Sequence, residues 1–252
     1  MATATHGLGC ALAIGILSAA AFANPAAAAP ELSFDDAEPA SEVVDRFVRW
    51  VKASEDHGDR PFAVVDKVRA QVFVYSGKGK LIGSAPVLLG SAFGDETAPG
   101  IGDLQLASIP ADQRTTAAGR FESFLGPATG ESPEVLWIDY DSGLSMHPVI
   151  RGAQKQRRKE RLATETPLDN RITYGCINVP VAFYEEVVRP AFAEKGMVYI
   201  LPETRDLEAV FTDFRWNRKA RRVAASDREG QREVSGGVIE TDAARLTTLL
   251  GF

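Results

Sequence analysis

The stretch Gln71-Val72-Phe73-Val74-Tyr75-Ser76-Gly77-Lys78-Gly79-Lys80-Leu81-Ile82 decides how this chain is read. Val72 and Val74 alternate with Phe73 and Tyr75, the period-two pattern of a strand made from β-branched and aromatic residues. Ser76-Gly77-Lys78-Gly79-Lys80 supplies a turn, and Leu81-Ile82 resumes the extended pattern. Outward from this unit the signal repeats. Residues 62–106 read as strands, Val87-Leu88-Leu89 among them, and further short strands are expected at 119–123, 136–140, 145–147 and 198–201. A helix entered through Pro180, a favourable first-turn residue, would carry Phe183, Tyr184, Val187 and Val188. Many short strands, Gly/Pro-rich loops and few helices imply a mainly β fold, a sandwich or barrel-like body.

Four segments follow from this pattern. Residues 1–29 read as an export signal, with an uncharged apolar run at 8–23 that is short against the roughly 20 residues a membrane span needs. Ala21-Phe22-Ala23 offers a cleavage site before Asn24, and 26–29 offers a second. No Lys or Arg precedes the run, and Cys10 lies before the apolar segment, the wrong order for a lipid-attachment site. Residues 30–61 form an acidic linker and an amphipathic helix with Ser41 as N-cap and Val43, Val44, Phe47, Trp50 and Val51 on one face. Residues 62–202 hold the strand-rich body, and 203–252 read as a polar tail with little to bury. With 252 residues, 45% hydrophobic and 25% charged, the chain can build one sizeable core. A net charge of −6 argues against nucleic acid as a general partner, and nothing after the leader reads as a membrane span.

Removal of the leader would leave one cysteine, Cys176, in Arg171-Ile172-Thr173-Tyr174-Gly175-Cys176-Ile177-Asn178-Val179-Pro180, and two histidines, His57 and His147. A solitary thiol in an exported protein has no disulfide partner, so it is either inert or kept for chemistry. A nucleophilic cysteine must ionise from a pKa of about 8.5, and a neighbouring imidazole both favours this and can later protonate a leaving amine. His57 sits in the polar turn Ser54-Glu55-Asp56-His57-Gly58-Asp59 and reads as a solvated surface residue. His147 ends the strand-like Leu144-Ser145-Met146-His147-Pro148, where a base can be held rigidly. Gly175 permits a sharp turn, which would leave the amides of Gly175 and Cys176 to bind a developing oxyanion. Taken alone, a cysteine beside a glycine is more often a small buried apolar residue, and a histidine at a strand end more often structural. One Cys and two His fall short of the four ligands of a structural zinc site, so no metal is expected.

Thr173-Tyr174-Gly175-Cys176-Ile177-Asn178, with His147 upstream on a strand, resembles the active-site signature of the L,D-transpeptidase catalytic domain family (YkuD-like). Arg114-Thr115-Thr116-Ala117-Ala118-Gly119-Arg120-Phe121 resembles that family's Thr-Pro-x-Gly-x-Phe element, and Val64-Val65-Asp66 with the following strand resembles its opening. The resemblance spans roughly 62–201. It implies a β-sandwich catalytic domain outside the cytoplasmic membrane, acting without a cofactor on peptidoglycan stem peptides. Cys176 would be the nucleophile and His147 the base, with Thr173, Tyr174, Gly175 and Asn178 as oxyanion and supporting residues. The family's imidazole is typically oriented by a backbone carbonyl just after the histidine, here that of Pro148, with Ser145 an alternative.

The chain departs from the pattern in three places. Tyr174 stands where a second histidine is usual, Ala117 where a proline is, and the spacer between His147 and Cys176 is long. That spacer contains Lys155-Gln156-Arg157-Arg158-Lys159-Glu160-Arg161, readable as a solvated basic helix or as a lid that attracts stem-peptide carboxylates. The implied thioester has three fates. A second stem's amine gives a 3–3 cross-link, an outer-membrane lipoprotein's amine gives an anchor, and water gives carboxypeptidase activity. Two rival readings are a wall-peptide hydrolase on the same fold and a non-catalytic wall-binding module with a structural Cys176.

Overall fold

The structure is a computed structural model that describes residues 39–128, 134–149 and 154–214. The expected leader at 1–29 lies outside them, as does most of the expected tail. In chain order the strands are β1 (Phe62–Asp66), β2 (Gln71–Tyr75), β3 (Leu81–Pro86), β4 (Leu89–Gly90), β5 (Gly119–Pro127), β6 (Glu134–Asp139), β7 (Leu144–Pro148), β8 (Arg171–Thr173), β9 (Ile177–Val179) and β10 (Gly196–Leu201). Helix α1 (Glu42–Ser54) precedes them, and the short α2 (Arg158–Leu162) lies between β7 and β8.

Eight strands form one sheet in the order β3-β2-β1-β10-β5-β6-β7-β9, while β4 pairs with β8 separately. The β1–β10 and β7–β9 pairs are parallel and the other neighbours in the large sheet antiparallel. The two edges nearly meet. Just past β3, Leu88 exchanges both backbone hydrogen bonds with Asn178 of β9, at 2.8 and 2.9 Å. The fold is mainly β and barrel-like with few short helices, as the strand pattern implies.

Alternation along each strand divides the apolar residues between two cores. Ala63, Val65, Val72, Val74, Val198 and Ile200 point inward and meet Leu136, Met146, Ile177 and Val179 from the far side of the sheet. Phe62, Val64, Phe73, Tyr75, Met197 and Tyr199 point outward and are covered by α1. Strands β1, β2 and β10 are buried on both faces, which explains why they read as almost continuous apolar runs. The interior is closed by the helical segment after Pro180, made of Val181–Phe183, a π-type turn Tyr184–Val188 and Arg189–Ala191. Phe183, Tyr184, Val187 and Val188 all reach the inner core. Arg189 N–H bonds back to Tyr184 O immediately before Pro190, which has no N–H to continue an α-helical ladder.

Helix α1 starts where expected: Ser41 Oγ accepts from Val44 N–H at 3.3 Å. Its buried face is Val44, Phe47, Val48 and Val51. Val43, expected on that face, is 41% exposed because the helical period brings Val48 inward instead. Phe47 is the hub of the outer core, with ring centroids 5.4 Å from Tyr199 and 4.7 Å from Phe211. The folded body continues past the boundary at 202 read from the sequence. Leu207–Val210 form a helical turn, and Phe211 and Phe214 are buried beside α1. These two aromatics are what ties down the start of a stretch whose composition is otherwise polar.

The loops around the future site are joined by buried charge. Lys67 Nζ, fully enclosed, donates to Gly94 O at 2.6 Å, Asp95 Oδ1 at 2.7 Å and Thr116 O at 2.7 Å. Asp95 in turn accepts from the amides of Glu203, Thr204 and Arg205 at 2.9, 2.8 and 2.8 Å. Burial alone would raise the Asp95 pKa. The hydrogen bonds from Lys67 and Thr204 and from the amides of Glu203 and Thr204 prevail and hold the carboxyl well below the usual range.

Two outcomes are expected. Phe47→Ala should destabilise the protein by about 3–5 kcal/mol in urea unfolding, because the site is walled by rings that cannot collapse into the gap. Asp95 is depressed in the folded state, so its stabilisation is complete above the unfolded aspartate pKa of about 3.9 and is lost as pH falls toward the folded value. Asp95→Asn should therefore flatten the fall in urea midpoint on acidification from pH 5, and an equally steep fall in the variant would contradict this.

Candidate active site

Strand register brings the chemistry together. In the parallel β7–β9 pair, Met146 faces Ile177 and His147 faces Asn178. Met146, Ile177 and Val179 enter the inner core. Ser145, His147, Cys176 and Asn178 share the other parity and meet on the opposite side of the sheet. Asn178 is fully buried, and its backbone is held on one flank by β7 and on the other by Leu88.

Cys176 enters β9 through a turn that only glycine suits. Gly175 adopts φ +132°, and a Cβ there would stand 2.9 Å from Thr115 O. The turn is tied from both sides. Thr116 Oγ1 accepts from Gly90 N–H at 2.9 Å and donates to Gly175 O at 2.7 Å. Thr173 Oγ1 donates to Cys176 O at 2.7 Å and accepts from Gly175 N–H at 3.2 Å. The Gly175 amide, expected to face an oxyanion, is therefore committed within the turn.

The Cys176 thiol lies 3.5 Å from Gly143 O and 3.6 Å from Ser145 Oγ. Burial pushes its pKa up, but hydrogen bonding and charge from His147, with help from Ser145, outweigh burial and leave the thiol below its ordinary value. His147 Nδ1 is 3.0 Å from Pro148 O. A carbonyl only accepts, so Nδ1 carries the proton and Nε2 the lone pair. Pro148 is thus the orienting group, and Ser145, the alternative, turns to the sulfur instead. Nε2 also receives Asn178 Nδ2 at 3.0 Å.

The sulfur opens on a small groove of about 80 Å³. Ile101, Leu104, Leu106 and Ile109 form an apolar wall, and Tyr174 and Thr115 line the side near Cys176. The Arg114 guanidinium lies 4.4 Å from the Tyr174 ring centroid, a cation–π contact that steadies the tyrosine. The wall comes from short 3₁₀ turns in a loop whose apolar residues lack any helical or strand period, so the sequence carried no signal for it.

Two further readings change. His57 is only 4% exposed, with Nε2 2.9 Å from Gly77 O and its ring centroid 5.0 Å from that of Phe62. It is a structural residue of the outer core, away from the sulfur, and not a solvated one. The basic spacer is only partly solvated. Lys155, Arg157 and Lys159 are exposed, whereas Arg161 donates to Gln156 O at 2.9 Å and Asp169 O at 2.6 Å. Arg158 turns in and bonds Asn178 Oδ1. Its place among several basic residues gave no ground for singling it out. Among the described residues no group of three or more His, Cys, Asp or Glu is placed to hold a metal ion, and no helix is long and apolar enough to cross a membrane.

No protein-family model matches the chain, and no curated protein matches it. Solved structures do. The helical cell shape determining protein Pgp2 from Campylobacter jejuni is 16% identical over 58% of this chain and 49% of its own, with a TM-score of 0.39. LD transpeptidase LdtMt1, solved in complex with imipenem, is 12% identical over 56% of this chain and 58% of its own, at 0.32. The catalytic domain from the E. faecium L,D-transpeptidase is 17% identical over 57% of this chain and 98% of its own, at 0.31. The match spans about half the length of the first two. At such scores the likeness decides nothing about function, which is read from the residues around Cys176.

Since His147 opposes burial at the sulfur, iodoacetamide should alkylate Cys176 with a pH midpoint below the ~8.5 of a free thiol. In His147→Ala only Ser145 would oppose burial, and the midpoint should rise. Equal midpoints in the two proteins would show that the imidazole does not act on the thiol.

Proposed function

We propose that this protein is a peptidoglycan L,D-transpeptidase, a cysteine acyltransferase. The observation that carries the reading is the shared face of β7 and β9, where Cys176, His147 and Asn178 meet beside a groove. His147 Nε2 takes the Sγ proton, and sulfur attacks the carbonyl between the third residue of a tetrapeptide stem and its terminal D-Ala. The tetrahedral oxyanion is bound by the Cys176 amide. His147 returns the proton to the departing nitrogen as the C–N bond breaks, leaving a thioester and free D-Ala. A side-chain amine of a second stem, or of an outer-membrane lipoprotein, then attacks the thioester carbonyl and releases the thiolate, which takes up the amine's proton through His147. The leader pattern at 1–29 supports a periplasmic site of action, where this substrate lies. No cofactor takes part. The reading is supported by the lowered thiol, the fixed imidazole tautomer, and the resemblance of the motif at 173–178 to the family's signature.

Incubation with purified disaccharide-tetrapeptides, followed by mass spectrometry, should show D-Ala release with 3–3 dimers. Tripeptides without dimers would reassign the protein as an L,D-carboxypeptidase, and unchanged substrate would overturn the enzymatic reading in favour of a wall-binding module. A carbapenem should add its mass to the intact wild-type protein and not to Cys176→Ser. An adduct on both would place the nucleophile elsewhere.

A further inference from the structure

Arg158 opens α2, where Arg157 has a left-handed φ of 50° and turns the chain back toward the site. Arg158 Nε donates to Gln156 Oε1 at 2.7 Å, Nη1 donates to Asn178 Oδ1, and the Arg161 bonds brace the segment from behind. A guanidinium has donors only. It must therefore meet the oxygen end of the Asn178 amide, which forces the NH₂ end toward His147. With Nδ1–H given to Pro148 O, His147 presents a lone pair there, and donor meets acceptor at 3.0 Å. The series Arg158, Asn178, His147, Pro148 runs donor to acceptor without a conflict. If the amide turned over, its oxygen would face Nε2 and call for a proton there.

We propose that Arg158 is a positioning residue for the base: by holding Asn178 Oδ1 it aims the Asn178 NH₂ at His147 and keeps Nε2 unprotonated, the tautomer that takes the Cys176 proton once the Asn178 N–H yields its place on the lone pair. The proposal rests on the reading of Cys176 and His147 as nucleophile and base. It gives the long spacer a purpose, since the spacer delivers Arg158 to the Asn178 amide that meets the base. Among the described residues, the titratable groups that act on Arg158 are Cys176 ahead of β9 and Tyr174 in the preceding turn, with Arg114 stacked on Tyr174. Burial lowers the Arg158 pKa while Cys176 and Tyr174 act to raise it, so the guanidinium lies within electrostatic reach of the sulfur.

The test is ¹⁵N NMR of histidine-labelled protein with the leader removed, alongside kcat and KM for D-Ala release. Wild type should show His147 protonated at Nδ1 with a bare Nε2. Arg158→Lys, which still offers only donors, should keep that signature. Arg158→Met frees the amide, and Asn178→Asp replaces the NH₂ with an acceptor. Both should move the proton to Nε2 or give a doubly protonated ring at pH 7, with kcat lower by about tenfold and KM little changed. Unchanged His57 signals show that a variant is folded. An Nδ1–H, bare-Nε2 signature in folded Arg158→Met would overturn the positioning role. If instead His147→Ala leaves wild-type thiol reactivity and D-Ala release intact, the acyltransferase reading itself fails, whatever the spectra of the Arg158 variants show.

Discussion

One enclosed ammonium organises the loops around the groove. Lys67 leaves the β1–β2 turn and spends its three N–H bonds on Gly94, Asp95 and Thr116, while Glu203 lies 3.5 Å away. Taking such ions out of water costs several kcal/mol each, and this is offset only when every donor and acceptor finds a partner. Here they do: Asp95 collects three amides and the Thr204 hydroxyl, and Glu203 pairs with Arg171. Removing one partner would strand a buried charge, so the segments at 94–95, 116, 171 and 203–205 must dock together. Thr116 carries that constraint to the site, because its carbonyl is held by Lys67 and its hydroxyl holds Gly175.

The second constraint is the parallel register of β7 and β9. Side chains alternate across a sheet, so a slip of one residue would bury His147 among aliphatic residues and turn Met146 toward the sulfur. Core packing of Met146, Ile177 and Val179 therefore also sets which residues of β7 and β9 meet on the other face. Stability and the proposed chemistry draw on the same alternation. The Leu88–Asn178 bridge, which nearly closes the sheet, fixes the backbone of the residue that meets the imidazole.

At the sulfur two opposed effects are balanced. Enclosure disfavours the thiolate, and His147 with Ser145 favours it and prevails. A thiol held between these opposed effects depends on His147 for its ionisation, which suits the proposed reaction, where the same proton must later reach the leaving amine. The apolar wall of Ile101, Leu104, Leu106 and Ile109 lines the groove onto which the sulfur opens.

Local order was legible in the residues themselves. Alternation in 71–75 marks a strand, Ser41 caps a helix, and the scarcity of Cys and His after the leader narrows the nucleophile–base pair to Cys176 with His147 or His57. These features depend on neighbours a few positions away, so periodicity, capping and composition encode them. Tertiary structure decided the rest: that His57 is enclosed, that the Gly175 amide is taken by Thr173, that Phe211 and Phe214 pack on α1, and that Arg158 meets Asn178. Each is a contact between side chains or loops brought together by register, loop path or helix docking. A run of basic residues looks the same whether one of them turns inward or none does, and only the desolvated partner waiting in the fold distinguishes the two.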